Sequence, residues 1–249
     1  SSGEDIEVTI YKFPVLVICM EQIENTFDDY ILNNELSEDE WFAYLMQIIM
    51  ILITYQKVFS LTHNDLHTNN VMYNTTIKYL YYCYNKKYYK VPTFGRIFKI
   101  IDFGRAIYKF RGQLLCSDSY HPEGDAATQY NCEPYFNTKK PRLDPNMSFD
   151  LCRLGCALYD YLMDEPSTPI HKIMLDWITD DKGRNILYKK NGDERYPDFK
   201  LYKMIARTVN NLVPKDELKS LVFATKYAFT PDANDSITIV DIDSLPVYV

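Results

Sequence analysis

The stretch Leu61-Thr-His-Asn-Asp-Leu-His-Thr-Asn-Asn-Val-Met-Tyr73, followed after an interval by Phe98-Lys-Ile-Ile-Asp-Phe-Gly104, decides the reading of this chain. It supplies an Asp, an Asn five residues later, and a second Asp that closes a β-type run. Those groups can orient a hydroxyl and offer oxygen ligands to a hard cation, which keeps several of its waters and leaves room for phosphate oxygens. Each piece alone is weak, since a His-x-Asp or an Asp-Phe-Gly also suits an ordinary turn. Their order, with a long apolar helix before them, carries the argument.

Outward from that stretch, Ser37-x-x-Glu40 is a capping box, and the spacing predicts a helix over about 38–60 that delivers the chain to Leu61. Its apolar part, Trp41 to Phe59, is interrupted by Gln47, Gln56 and Lys57, which favours a buried helix over a membrane span. Upstream, Thr26-Phe-Asp-Asp-Tyr-Ile31 suits a short helix capped by Thr26 or Asn25. Val8-Thr-Ile-Tyr11 and Pro14-Val-Leu-Val-Ile-Cys-Met20 predict two strands, the second covered on both faces because it is apolar throughout.

Downstream, Ile77 to Pro92 is aromatic and β-branched around a polar Asn85-Lys-Lys87 centre and predicts a hairpin spanning about 76–94. Its tyrosines have two uses, packing onto the rest of the protein or covering a partner surface. Arg96 to Ile101 predicts a strand ending at Asp102, and 105–146 a long, partly irregular loop with a short helix. Ser148 to Met163 predicts a central helix capped by Ser148, with further helices near 168–180, 198–212 and 215–228. The tail 236–249 reads as a docked strand or an extended arm.

With 47% hydrophobic and 24% charged residues, 249 residues can bury a substantial core. The net charge of -7 with dispersed Lys and Arg argues against nucleic-acid binding, and the basic runs 84–90 and 137–142 read as solvated faces. Six cysteines without a Cys-x-x-Cys pair indicate neither a zinc ribbon nor a disulfide framework, so a reducing, cytoplasmic compartment is expected. No charged, apolar leader opens the chain, and Ser1-Ser-Gly3 has the look of a cloning scar. Zinc binding by His63 and His67 is disfavoured, because the segment reads as a loop and lacks the Glu of the metalloprotease motif.

These motifs resemble the C-terminal lobe of the protein-kinase-like superfamily, in which a His-Arg-Asp-Leu-x-x-x-Asn loop precedes Asp-Phe-Gly. Asp150-Leu-Cys-Arg-Leu-Gly155 is similar to the pattern that opens that lobe's central helix, and the style is that of divergent putative serine/threonine kinases of large DNA viruses. The resemblance implies an α+β, mainly α-helical fold. It divides the chain into a remnant of the N-lobe sheet and hinge at 1–24, a C-lobe at 25–235 carrying the inserted hairpin, and a tail at 236–249.

It further implies ATP and Mg²⁺ as cofactors and a protein substrate or partner. Asp65 then orients the acceptor hydroxyl, and His67 can hydrogen-bond a phosphate. Asn70 and Asp102 hold the metal, Met20, Glu21 and Ile23 meet the nucleotide, and His63, Phe103, Gly104 and Asp150 support the site.

Several departures qualify the resemblance. Asn64 replaces the Arg that would answer a phosphorylated loop, and Cys132-Glu-Pro134 is a poor match for Ala-Pro-Glu. His67 stands where protein kinases carry Lys, as in aminoglycoside, choline and haspin-type kinases. No Gly-x-Gly-x-x-Gly and no strand Lys precede Met20, so the expectation is a fragment of a longer kinase or a lobe that has lost its partner. The rival expectations are a pseudokinase or scaffold and a small-molecule kinase.

Overall fold

The computed structural model describes residues 8–163, 168–232 and 236–249; Ser1-Ser-Gly3 and the boundary at 235 fall outside them. The fold is mixed α+β with small sheets.

Strand β1 (Asn25–Thr26) leads into helix α1 (Phe27–Asn33), whose first turn is capped by the Thr26 hydroxyl accepting from the Asp29 N–H at 3.1 Å. Helix α2 (Glu38–Phe59) carries the expected capping box, with Ser37 and Glu40 each accepting from the other's backbone N–H. By length and composition α2 is apolar enough to cross a membrane, but here it is the buried core helix. It stops at Ser60, which takes the left-handed conformation and donates back to Gln56 and Tyr55.

The strands β2 (Val71–Thr75) and β5 (Arg96–Ile100) pair antiparallel from Val71↔Ile100 to Thr75↔Arg96, and β1 adds to the β2 edge. Between them the predicted hairpin exists as β3 (Tyr79–Tyr84) and β4 (Lys87–Pro92). Asn85 and Lys86 form its turn, both at positive φ as a two-residue hairpin turn requires.

The hairpin forms the middle of a second sheet. Antiparallel β8 (Ala228–Phe229) flanks β4, and β9 (Ile239–Asp241) runs parallel to β3. Tyr82, Tyr89 and Val91 are buried in the same cluster as α2, so the tyrosines serve packing. The tail is docked: Asp243 accepts from the N–H groups of Asn85 and Lys86, both at 2.8 Å, and Lys57 donates to the carbonyls of Ile242 and Asp243.

The loop after Asp102 contains a small hairpin, β6 (Tyr108–Phe110) and β7 (Gln113–Leu115), and then a 3-10 turn at Asp118–Tyr120. Helix α3 (Phe149–Leu158) begins after Ser148, but the Ser148 side chain makes no capping bond; the Asn146 side chain accepts from the Ser148 N–H instead. Helix α4 (Pro169–Trp177) packs on α3, and α5 (Lys200–Thr208) packs on its other side. The helix expected over 215–228 is two, α6 (Pro214–Glu217) and α7 (Leu221–Lys226), separated at Leu218–Ser220.

One expectation fails outright. Residues 8–23 form no strand and stand in solvent, with Leu16 92% exposed. A strand is a tertiary object, and an apolar run becomes one only against a neighbouring edge. Among the described residues no strand pairs with residues 8–23; Glu21 and Gln22 reach the sheet only through the Lys99 and Asn74 side chains, and backbone pairing starts at Glu24, whose N–H donates to the Tyr73 carbonyl at 3.3 Å.

Gly155 sits where α3 meets the end of α4: a Cβ there would stand 3.0 Å from both Ile178 Cγ2 and Trp177 Cβ. Gly155→Ala is expected to cost about 1–2 kcal/mol, because overpacking of about 1–3 kcal/mol outweighs the helix-propensity gain of up to about 1 kcal/mol. Chemical denaturation measures it, and an unchanged or raised midpoint would refute the close approach.

Candidate active site

The loop that follows α2 is held from beneath by one buried carboxylate. Asp150, in the first turn of α3, accepts the backbone N–H of His63 at its Oδ2 and of Asn64 at its Oδ1, both at 2.8 Å. Burial pushes the Asp150 carboxyl up, while the His63 ring and the two N–H bonds favour the charged form.

His63 is fully buried, and its Nε2 donates to the Ile101 carbonyl at 2.8 Å. Its Nδ1 accepts from the Asp65 N–H at 3.3 Å. Both ring nitrogens are therefore committed, which removes His63 as a zinc ligand alongside His67. The loop thus reads its own position against the residue that precedes Asp102.

Asn70 and Asp102 stand at neighbouring strand ends, because β2 and β5 pair up to Val71↔Ile100 and the Ile101 N–H then donates to the Asn70 carbonyl at 3.0 Å. The Asn70 amide nitrogen donates to the Asp65 carbonyl at 2.9 Å, so its side-chain oxygen faces away from that bond. Asp102 takes the left-handed conformation (φ 59°), and its exposed carboxylate accepts from the Gly104 N–H at 3.2 Å. A Cβ on Gly104 would lie 3.1 Å from that carboxylate oxygen, so a side chain there would crowd Asp102. Phe103 packs edge-on to Tyr55 and against His63, at ring separations of 5.7 and 5.2 Å.

Asp65 does not stand free. Its Oδ1 accepts the Tyr202 hydroxyl of α5 at 2.6 Å, and its Oδ2 lies 3.4 Å from the Arg105 guanidinium. Arg105 also pairs with Asp125 at 2.8 Å, and Arg153 donates to the Tyr202 hydroxyl at 3.0 Å. His67 Nε2 lies 4.0 Å from Asp65. Burial, then the Arg153 charge, pulls the His67 pKa below its usual value against the opposing pull of Asp65. Burial thereby favours the neutral ring of His67 over the cation.

The sequence-derived set is thus partly assembled. His63, Asp65, His67, Asn70, Asp102, Phe103, Gly104 and Asp150 form one hydrogen-bonded or packed neighbourhood. Met20, Glu21 and Ile23 do not join it: Met20 is 84% exposed, and Glu21 binds Lys99 and Asn74 at the sheet edge, which lowers its pKa. Cavities of about 800 and 540 Å³ exist, yet Asp65, Asn70 and Asp102 line neither.

Sequence reasoning missed the role of Asn64, whose buried amide donates to Thr62 and to the Arg105 carbonyl and accepts from the Tyr130 hydroxyl at 2.9 Å. Its left-handed backbone (φ 64°) suits Asn. Tyr202 was also missed, and at 137 residues from Asp65 no local pattern announces it.

Chemically, the neighbourhood holds the Asp65 carboxylate in the loop after α2, with the Asn70 amide oxygen and the Asp102 carboxylate at neighbouring strand ends available as oxygen ligands. No family model matches this chain, and no curated protein matches it.

Proposed function

We propose that the chain is a divergent protein-kinase-like C-lobe, cytoplasmic, that serves phosphoryl transfer from ATP to a Ser/Thr hydroxyl of a protein. The observation that carries this reading is the pair of bonds from Asp150 to the His63 and Asn64 N–H groups, together with the bond from His63 to Ile101. Three sequence-remote motifs are thereby held in one place, as positioning of a reacting hydroxyl requires.

In this reading Asp65 orients the acceptor hydroxyl and takes its proton. Asn70 and Asp102 fit a hard divalent cation, because an amide oxygen and a carboxylate oxygen are its preferred donors. Mg²⁺, when bound, neutralises charge on the phosphate oxygens. His67, whose neutral form burial and the Arg153 charge favour, can hydrogen-bond a phosphate oxygen where most protein kinases carry Lys.

A second reading has a specific observation behind it. Both oxygens of Asp65 are engaged, by Tyr202 and Arg105, which suits a pseudokinase that binds a partner without turnover.

Transfer of labelled phosphate from ATP tests both. Whatever transfer occurs should fall to background in Asp65→Asn and in Asp102→Asn. Transfer unchanged in both variants would refute the site, and Mg-ATP binding without transfer would establish the second reading.

A further inference from the structure

The basic run Asn137-Thr-Lys-Lys-Pro-Arg142 is unused by the site described above, and it does not simply face bulk water. Lys140 and Arg142 join Arg207 of α5 around a cavity of about 540 Å³ whose walls include the rings of Tyr120, Tyr130 and Tyr135. Among the described residues no Asp or Glu lines it, although Arg142 Nε donates to Asp144 Oδ1 at 2.8 Å at its rim. With Asp144 offsetting Arg142, Lys140 and Arg207 still leave this aromatic cavity cationic in a chain of net charge -7.

The cavity is built, not collapsed. Asn131 is buried, and its amide nitrogen donates to the carbonyls of Asn137, Lys140 and Pro141 at 3.2, 3.0 and 2.8 Å. Its side-chain oxygen accepts from the Asn137 N–H at 2.8 Å, and its backbone pairs with Leu143 in both directions. Arg207 is fixed by bonds to the carbonyls of Thr128 and Lys203, at 2.8 and 2.7 Å. A preformed cavity spares a ligand the cost of ordering it.

We infer that this cavity binds an acidic peptide segment of a partner protein. Its size lies within the range of roughly 300–1,000 Å³ of ligand sites, larger than a lone phosphate or sulfate needs. Cations spread around phenol rings suit a ligand with several separated carboxylates and an apolar body. A nucleic acid is disfavoured because the rest of this acidic surface repels a polyanion.

The cavity backs onto Asp65: the Tyr130 hydroxyl donates to Asn64, and the Tyr120 hydroxyl donates to the Arg105 carbonyl at 2.6 Å. On the phosphotransfer reading, on which this clause alone rests, the bound segment belongs to the acceptor protein.

The test is fluorescence anisotropy with a labelled Glu/Ala peptide of about ten residues, nucleotide-free, so its outcome is independent of turnover at Asp65. The expected result is saturable binding that weakens with salt and falls by about tenfold or more in Lys140→Glu/Arg142→Glu and in Tyr135→Ala. Lys140 and Arg142 are exposed, so the charge-reversed protein should keep its thermal midpoint. Equal binding of a Gln/Ala peptide, unchanged affinity in the charge-reversed protein, binding confined to a phosphoserine peptide, or tighter binding of a single-stranded oligonucleotide would each overturn the proposal.

Discussion

Asp150→Ala is expected to lower the unfolding free energy by about 3–5 kcal/mol, since each buried N–H left without an acceptor costs about 1–3 kcal/mol. The two orphans would be the N–H groups of His63 and Asn64, both in fully buried residues and both bonded to Asp150 in the native chain. For a chain of this size each kcal/mol moves the thermal midpoint by about 2–4 °C, so a drop of roughly 6–20 °C is expected. Asp150→Asn should fall between the two, because one amide oxygen can accept from one N–H while its NH₂ opposes the other. Circular dichroism melts of the three proteins decide the matter. A loss under about 1 kcal/mol for the alanine variant would show that the loop holds itself without the carboxylate.

Glu217→Gln is expected to act in the opposite sense, increasingly so as pH rises from about 4.5 to 7. Glu217 is buried at the end of α6, and burial, with the Asp176 and Asp216 charges adding to it, pushes its pKa up to about 7. The unfolded chain titrates this group near the ordinary 4.5, so between about 4.5 and 7 the folded protein holds a proton that the unfolded one has released. Stability linked to this group is therefore fully present below about 4.5 and is lost as pH rises through about 7. The difference amounts to about 3 kcal/mol at pH 8. Gln cannot ionise, so the variant should match the parent near pH 4, below the ordinary carboxyl range, and exceed its midpoint at pH 8. Equal midpoints at both pH values would mean that Glu217 reaches water when charged.

The parts of this fold that were legible beforehand are those whose signals are local. Helix α2 announced itself by a capping box, the β3–β4 hairpin by alternating aromatics around Asn85-Lys86, and β5 by a short run ending at Asp102. The β6–β7 turn was also written locally, in Arg111-Gly112, both at positive φ, between Tyr108-Lys-Phe110 and Gln113-Leu-Leu115, and was lost inside a loop judged by composition.

What could not be read depends on remote partners. The run Pro14 to Met20 has the composition of a covered strand, but composition cannot supply the covering. Tyr202 and Arg105 reach Asp65 from remote parts of the chain, Arg153 in turn bonds the Tyr202 hydroxyl, and each is unremarkable where it stands. The catalytic-loop resemblance located Asp65; only the fold reveals that its carboxylate is already spoken for.

The parallel pairing of β9 with β3 has a consequence for synthesis. Tyr81 cannot meet Ile239 until translation has proceeded roughly 160 residues further, which at about 5–20 residues per second is roughly 8–30 s. Until β8 and β9 emerge the hairpin carries two unpaired edges, and Tyr82 and Tyr89 lack the sheet neighbours that later flank them. A nascent chain in this condition is a substrate for ribosome-associated chaperones, and synonymous codons that change elongation speed between the hairpin and the tail become a determinant of its yield.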